Sequence, residues 1–350
     1  MKAMIAKNSR WVNFGFQIAA LLLALLFTTL ILVAAGAPPL EAYKNIIIGS
    51  VGSFKKFSDV LVSWVPLLLV SAGLLVTFAA GLWNIGVEGQ ITLGAIATTW
   101  ALRGLQDTGL PPSLILFLAI IAGMAGGALW AMLAGALKTF GGVNEIFGGL
   151  GLNFVATALT IYLIFGPWKR PGVASMSGTV PFDAALHLSL IPGLRLSPWA
   201  LVIAIVAIVF VFFLLQGTYF GLRLKAVGKN LRAAYLLGVP TWQYIMLSFL
   251  ICGALAGVAG AMQVTAVYYR LIPAISSGYG YLGLMVAMLV NYQAIWAAPV
   301  ALFFAALNIG SIQLPIVLKL DSSLSGVLQG MLVLFVLIVE GIRQRLSKRS

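Results

Sequence analysis

Residues 82–94 read "LWNIGVEGQITLG" and sit in a chain that is otherwise strongly apolar. Asn84, Glu88 and Gln90 crowd into seven positions there, with no Lys or Arg nearby to neutralise Glu88. The depth of this stretch decides the fold around it. Between Gln90 and Arg103, residues 91–102 rise only about 18 Å as a helix, whereas the hydrocarbon core of a bilayer is about 30 Å thick. A span that closes at Arg103 must therefore begin near Asn84, which puts the polar cluster within the membrane's depth rather than in a wet turn. An unbroken helix would align Asn84, Glu88 and Thr92 on one face. Gly81, Gly86 and Gly89 argue for a break instead. A broken helix exposes unpaired N–H groups and a positive dipole end that can steady a carboxylate without a basic partner. Two roles stay open for these residues. They line a solute pathway or gate, as intramembrane acids commonly do, or they brace one helix against another.

The rest of the composition agrees with a membrane setting. Of 350 residues, 61% are hydrophobic and 8% are charged, against about 25% charged in a typical soluble domain. Too little polar surface exists to wrap a water-soluble body, so the chain reads as one polytopic, all-α transmembrane domain over residues 1–350. The formal net charge of +13 does not indicate nucleic acid, because the basic residues lie at the ends of apolar runs and not on one polar face. The single cysteine, Cys252, excludes a disulfide within the chain.

Apolar runs near 20 residues predict ten transmembrane helices: 16–36, 61–83, 84–102, 113–137, 146–166, 198–216, 243–264, 278–292, 294–312 and 322–341. The first run, from Phe16, is too long for a signal-peptide core and reads as an uncleaved span. Basic clusters at 2–10, 223–232 and 343–349 place both termini and the 217–242 loop in the cytoplasm. Residues 37–60 and 167–197 then become outer loops. The second holds the only histidine, His187, read as a solvated loop residue. Gly123/Gly127 and Gly253/Gly257 have the spacing that lets membrane helices approach closely.

Most catalytic chemistries are short of parts. Gly228-Lys229 is followed by Asn230, so no phosphate-binding P-loop is present, and metalloprotease and serine-hydrolase motifs are missing too. A solute-moving protein without its own ATPase site is the natural reading. In the 217–242 loop, Lys225, Lys229 and Arg232 stand at i, i+4 and i+7, so a continuous helix would carry one basic face, with Gly238 as its stop. That loop either lies on anionic lipid or docks a partner. In "GGVNEIFGGLGLNFVA", 141–156, Lys138, Asn144 and Glu145 mark a cytoplasmic turn, which puts Asn153 about 12 Å inside the membrane. Asn153 suits either ribose hydroxyls and base edges or a brace to another helix.

The string "AVGKNLRAAYLLGV", 226–239, resembles the cytoplasmic coupling loop of permease subunits of ATP-binding-cassette (ABC) importers. "LWNIGVEGQITLGA", 82–95, and the 141–156 stretch resemble two further signatures of the branch that takes up nucleosides and related sugar-containing solutes. Sister branches carry monosaccharides and branched-chain amino acids. The resemblance implies a coupling role for Lys225, Gly228, Asn230, Arg232, Ala233, Ala234 and Gly238, and a pathway or gate role for Asn84, Glu88, Gln90 and Asn153. It implies no cofactor on this chain, with ATP used by separate cytoplasmic subunits. It also implies an external solute-binding protein, a second permease copy or paralogue, and residence in the cytoplasmic membrane of a prokaryote. The rival reading from residues alone is a stand-alone ion-coupled carrier using Glu88 and Glu145.

Overall fold

The computed structural model describes residues 22–319, apart from 24, 35, 173–177, 291 and 292, together with scattered positions from 326 to 338. The start of the expected span 16–36 and most of the span 322–341 lie outside the described residues. Among those described, every regular element is helical. In chain order these are α1 (Leu25–Ala34), α2 (Pro39–Val51), α3 (Phe54–Ala79), α4 (Val87–Leu105), α5 (Pro112–Thr139), α6 (Glu145–Phe165), α7 (Pro198–Gln216), α8 (Tyr219–Lys229), α9 (Leu231–Leu236), α10 (Thr241–Met262), α11 (Tyr279–Leu289), α12 (Ala294–Ser311) and α13 (Gln313–Leu318). Among the described residues, six helical segments are long and apolar enough to cross a bilayer: α3, α5, α6, α7, α10 with its extension to Val267, and α12 continued through α13. The bent pair α1–α2, with 112° between its arms, makes a seventh if counted as one span. The protein is a polytopic helical membrane protein.

Several elements depart from the expected map, each for a local reason. Residues 37–60 do not form an irregular loop. Pro39 stands in the first turn of α2, where its missing N–H leaves no helical bond unmade. The span expected from Asn84 begins at Val87 and runs to Leu105, because Gly81 takes a left-handed conformation (φ +74°) and the chain turns before the helix starts. α11 has 11 residues, about 16 Å of rise, so it is a half-length helix and not the span 278–292. The 217–242 loop carries no single basic face. Asn230 is extended (φ −159°, ψ 102°) and its side chain accepts a hydrogen bond from Ala233 N–H at 2.9 Å, so it ends α8 and caps a new helix. Lys225 and Lys229 therefore lie on α8 and Arg232 on α9. Gly238 (φ +79°) does end α9 as a left-handed stop.

The described chain forms two compact units. Residues 1–60 with 303–350 make the first, in which α2 packs on α13 around Leu32, Ala42, Ile46 and Leu314. Gly310 in this unit touches the Ile46 carbonyl. Residues 61–302 make the second, whose centre is the trio α4, α5 and α10. These helices meet backbone to backbone. A Cβ on Gly94 would overlap Gly257, one on Gly127 the carbonyl of Gly253, and one on Gly257 the carbonyl of Gly123. Lipid tails are as apolar as Leu, so close packing and not water exclusion holds such helices together. The two GxxxG pairs are thus the seam of the second unit. Gly257→Val is expected to destabilise it by about 1–3 kcal/mol, measured as a lower unfolding temperature of the detergent-solubilised protein beside the wild type.

Candidate functional site

The stretch 80–90 is a built discontinuity between α3 and α4. Thr77 ends α3 by accepting from Leu82 N–H at 3.0 Å, and Gly81 N–H bonds to Phe78 O at 2.9 Å. Within the break Asn84 and Gln90 face each other. Asn84 Nδ2 donates to Gln90 Oε1 at 3.1 Å, and Gln90 Nε2 returns a bond to Asn84 Oδ1 at 2.9 Å. Both side chains are fully buried. Asn84 Nδ2 also reaches Cys252 Sγ of α10 at 3.1 Å. This reciprocal amide pair closes the gap that a continuous helix would have closed with its own backbone bonds.

Asn153 of α6 holds the same break from the other side. Its Oδ1 accepts from Gly89 N–H at 2.8 Å, and its Nδ2 donates to Ile85 O at 2.9 Å. The first is an orphan donor of the α4 N-terminus and the second a carbonyl in the break. The glycines allow the approach, because a Cβ on Gly149 would stand 2.6 Å from Gly86 N and one on Gly89 would stand 2.9 Å from Asn153 Oδ1. Asn153 sits at the N-terminal half of α6, whose start is fixed by Asn144 accepting from Ile146 N–H at 2.9 Å and by a 2.7 Å ion pair between Lys138 and Glu145.

Glu88 does find a helix dipole, but not that of its own helix. Its carboxylate accepts from Gly278 N–H at 3.1 Å and Gly280 N–H at 2.7 Å, at the N-terminus of α11. The half-length α11 thus aims its positive end at a largely buried acid, an arrangement that replaces a basic counter-charge. Two left-handed residues at the entry to α11, Ser277 (φ +51°) and Gly278 (φ +74°), and a Gly280 that has no room for a Cβ against Glu88 make the approach possible. Positions 276–281 carry no role in the motif reading above. A Ser-Gly-Tyr-Gly string opening a short apolar helix is the signal that points to them.

The four polar positions Asn84, Glu88, Gln90 and Asn153 therefore belong to one cluster that ties α4 to α6, α10 and α11. The coupling-loop positions form a second group. Lys225 Nζ donates to Leu215 O of α7 at 2.6 Å, Ala234 is buried, and Arg232, Ala233 and Gly238 are exposed. His187 belongs to neither. It is a packing residue and not a solvated one, stacked 3.8 Å from the Tyr269 ring with Nε2 2.9 Å from Phe182 O. Its loop runs along the end of α10, where Leu188 N–H bonds to Thr265 O and Phe182 N–H to Tyr269 O.

The comparison with known proteins gives the family. Residues 57–337 match the family described as the branched-chain amino acid transport system / permease component. The chain belongs to this family and is a permease subunit of an ABC transporter, the component that does not hydrolyse ATP. It is similar over nearly its whole length to curated relatives. One is the glucose ABC transporter permease protein TsgB13 of Haloferax volcanii, 30% identical with 94% of this chain and 88% of the relative covered. Another is the guanosine ABC transporter permease protein NupP of Bacillus subtilis, 29% identical with 91% of each covered. The nucleoside ABC transporter permease protein NupB of Lactococcus lactis is 26% identical, with 83% of this chain and 82% of the relative covered.

Removing either anchor of the break has a calculable cost. Asn153→Ala leaves Gly89 N–H and Ile85 O buried without partners, and is expected to lower stability by about 1–3 kcal/mol, read by thermal unfolding in detergent. Glu88→Gln keeps the shape but turns an amide N–H₂ toward N–H donors. Loss of a charge-assisted bond predicts about 1.5–3 kcal/mol of destabilisation, and the same unfolding measurement checks it.

Proposed function

We propose that this chain is the permease of an importer for nucleosides or related sugar-containing solutes, working in the cytoplasmic membrane of a prokaryote. The observation that carries the reading is near-full-length similarity to relatives named for guanosine, nucleoside and glucose transport. A nucleoside and a monosaccharide share a hydroxyl-rich ring, so the glucose relative favours monosaccharides as the second reading. Ten crossings, with both termini cytoplasmic, follow if α4 and a discontinuous span made of the 268–278 stretch and the half-length α11 are added to the six long segments, and 16–36 and 322–341 supply the outermost two.

In this reading ATP is hydrolysed by cytoplasmic subunits that dock on α8 and α9. The structure supports it through the division of that helix pair. Leu224, Val227 and Ala234 are buried, whereas Leu231, Tyr235, Leu236 and Leu237 stand open. An apolar, unpartnered ridge beside Arg232 suits a protein groove better than water. A solute-binding protein delivers solute on the far side, and a second permease, copy or paralogue, completes the pathway. Asn84, Glu88, Gln90 and Asn153 hold the gate between α4 and α11. Their hydrogen bonds made within the chain support a gate better than a solute contact.

Reconstitution with the partner subunits and the solute-binding protein tests the assignment. ATP-dependent uptake of tritiated guanosine that unlabelled nucleosides suppress is expected, while uptake of labelled glucose alone would select the second reading. Arg232→Glu reverses charge on the open ridge. Loss of copurifying ATPase subunits, or uptake lowered about tenfold or more, is the expected result, in line with 1.4 kcal/mol or more of lost interface energy.

A further inference from the structure

The two groups of residues described above meet at one place. Gly228 of α8 lies directly on the turn that opens the break. A Cβ on Gly228 would overlap the Ala79 carbonyl and stand 2.9 Å from Gly81 N. In return, a Cβ on Gly81 would stand 2.9 Å from Gly228 O and 3.1 Å from Gly228 Cα. Two backbones touch there with no side chain between them, so the contact has no rotamer to absorb a displacement.

Each side of the contact is firmly attached. α8 is held to the end of α7 by the Lys225–Leu215 bond, and Gly221 leaves no space against Leu214 O and Leu215 O. On the other side Gly81 leads within a few residues to the Asn84–Gln90 pair, to the Asn153 bonds and to Glu88 on α11. α9 is mostly open, with Tyr235 68% and Leu236 77% exposed.

We infer that the Gly228–Gly81 contact is a joint, and that these glycines are positioning residues which carry a displacement of α8 into the 80–90 break and so to the seat of Glu88 on α11. This rests on the reading of 217–242 as the ATPase-docking loop. The break has two arrangements. In the one seen here the amide pair is made and Cys252 is sealed beneath Asn84. In the other α8 draws the turn away, the pair opens, and α11 loses its hold on Glu88. The joint sits between the docking helices and the gate, so the gate follows the ATPase subunits without any solute contact at α8.

The protein carries its own reporter. Cys252 is the only cysteine of the chain, is fully buried and touches Asn84. The experiment uses the complete transporter, with ATPase and partner permease, in lipid nanodiscs. N-ethylmaleimide labelling of Cys252 is followed by mass spectrometry in the nucleotide-free and the ATP–vanadate-trapped states. The labelling rate is expected to differ by about fivefold or more between the states, the lower end of ordinary coupling between sites. Gly228→Val should collapse the difference in Cys252 labelling, with ATPase copurification and hydrolysis measured beside it. Gly228→Ala gives a milder wedge should the valine variant not assemble. Equal labelling of the wild type in both states overturns the joint, as does a Gly228 variant that keeps the full difference. If the ATPase does not copurify with the wild type, the docking reading itself falls and the joint falls with it. That outcome is distinct from normal docking with a silent Cys252.

Discussion

A part-buried carboxylate without a basic neighbour is the constraint on which the site depends. Lipid offers it no solvation, and a buried charge must be met by oriented dipoles or by an opposite charge. Here Glu88 is met by the N–H groups of Gly278 and Gly280. That choice explains features that are otherwise separate. α11 is short because its useful part is its N-terminus. The chain before it takes left-handed turns so that the terminus can be aimed. Gly280 lacks a side chain because the acid occupies that space.

The same logic organises the other side of the break. Interrupting a helix in a membrane frees backbone groups that water cannot reach, and such a segment survives only when protein satisfies it. Asn153 takes one donor and one acceptor of the break, and Asn84 with Gln90 fills the gap between helix ends. These amides act as a substitute for missing helical bonds. Their geometry is exacting, so the break has discrete arrangements instead of a continuous range.

The junction of the 178–188 segment with the end of α10 shows a further use of irregular backbone. A π-turn over Gln263–Val267 ends α10 and leaves carbonyls that pair with the 178–188 segment. His187 and Tyr269 stack at this junction, and Tyr269 itself is left-handed at φ +56°. Strain of that kind persists only where surrounding contacts over-determine it. Here the stacked ring and the paired strand-like segment supply those contacts.

The membrane class, the main apolar helices and the close-packed GxxxG seams were legible in the sequence, because each rests on local chemistry: apolar run length and spacing of small residues. The break at Gly81–Gly89 was legible for the same reason. What local chemistry could not decide was who satisfies whom. That Glu88 pairs with a helix nearly two hundred residues on, that Asn153 bonds to the Gly89 N–H and the Ile85 carbonyl, and that α8 ends at Asn230 and places Gly228 against Gly81 depend on long-range packing. Side chains alone set the demand for a partner at each buried polar atom. Which backbone meets that demand is settled only when distant helices come into register.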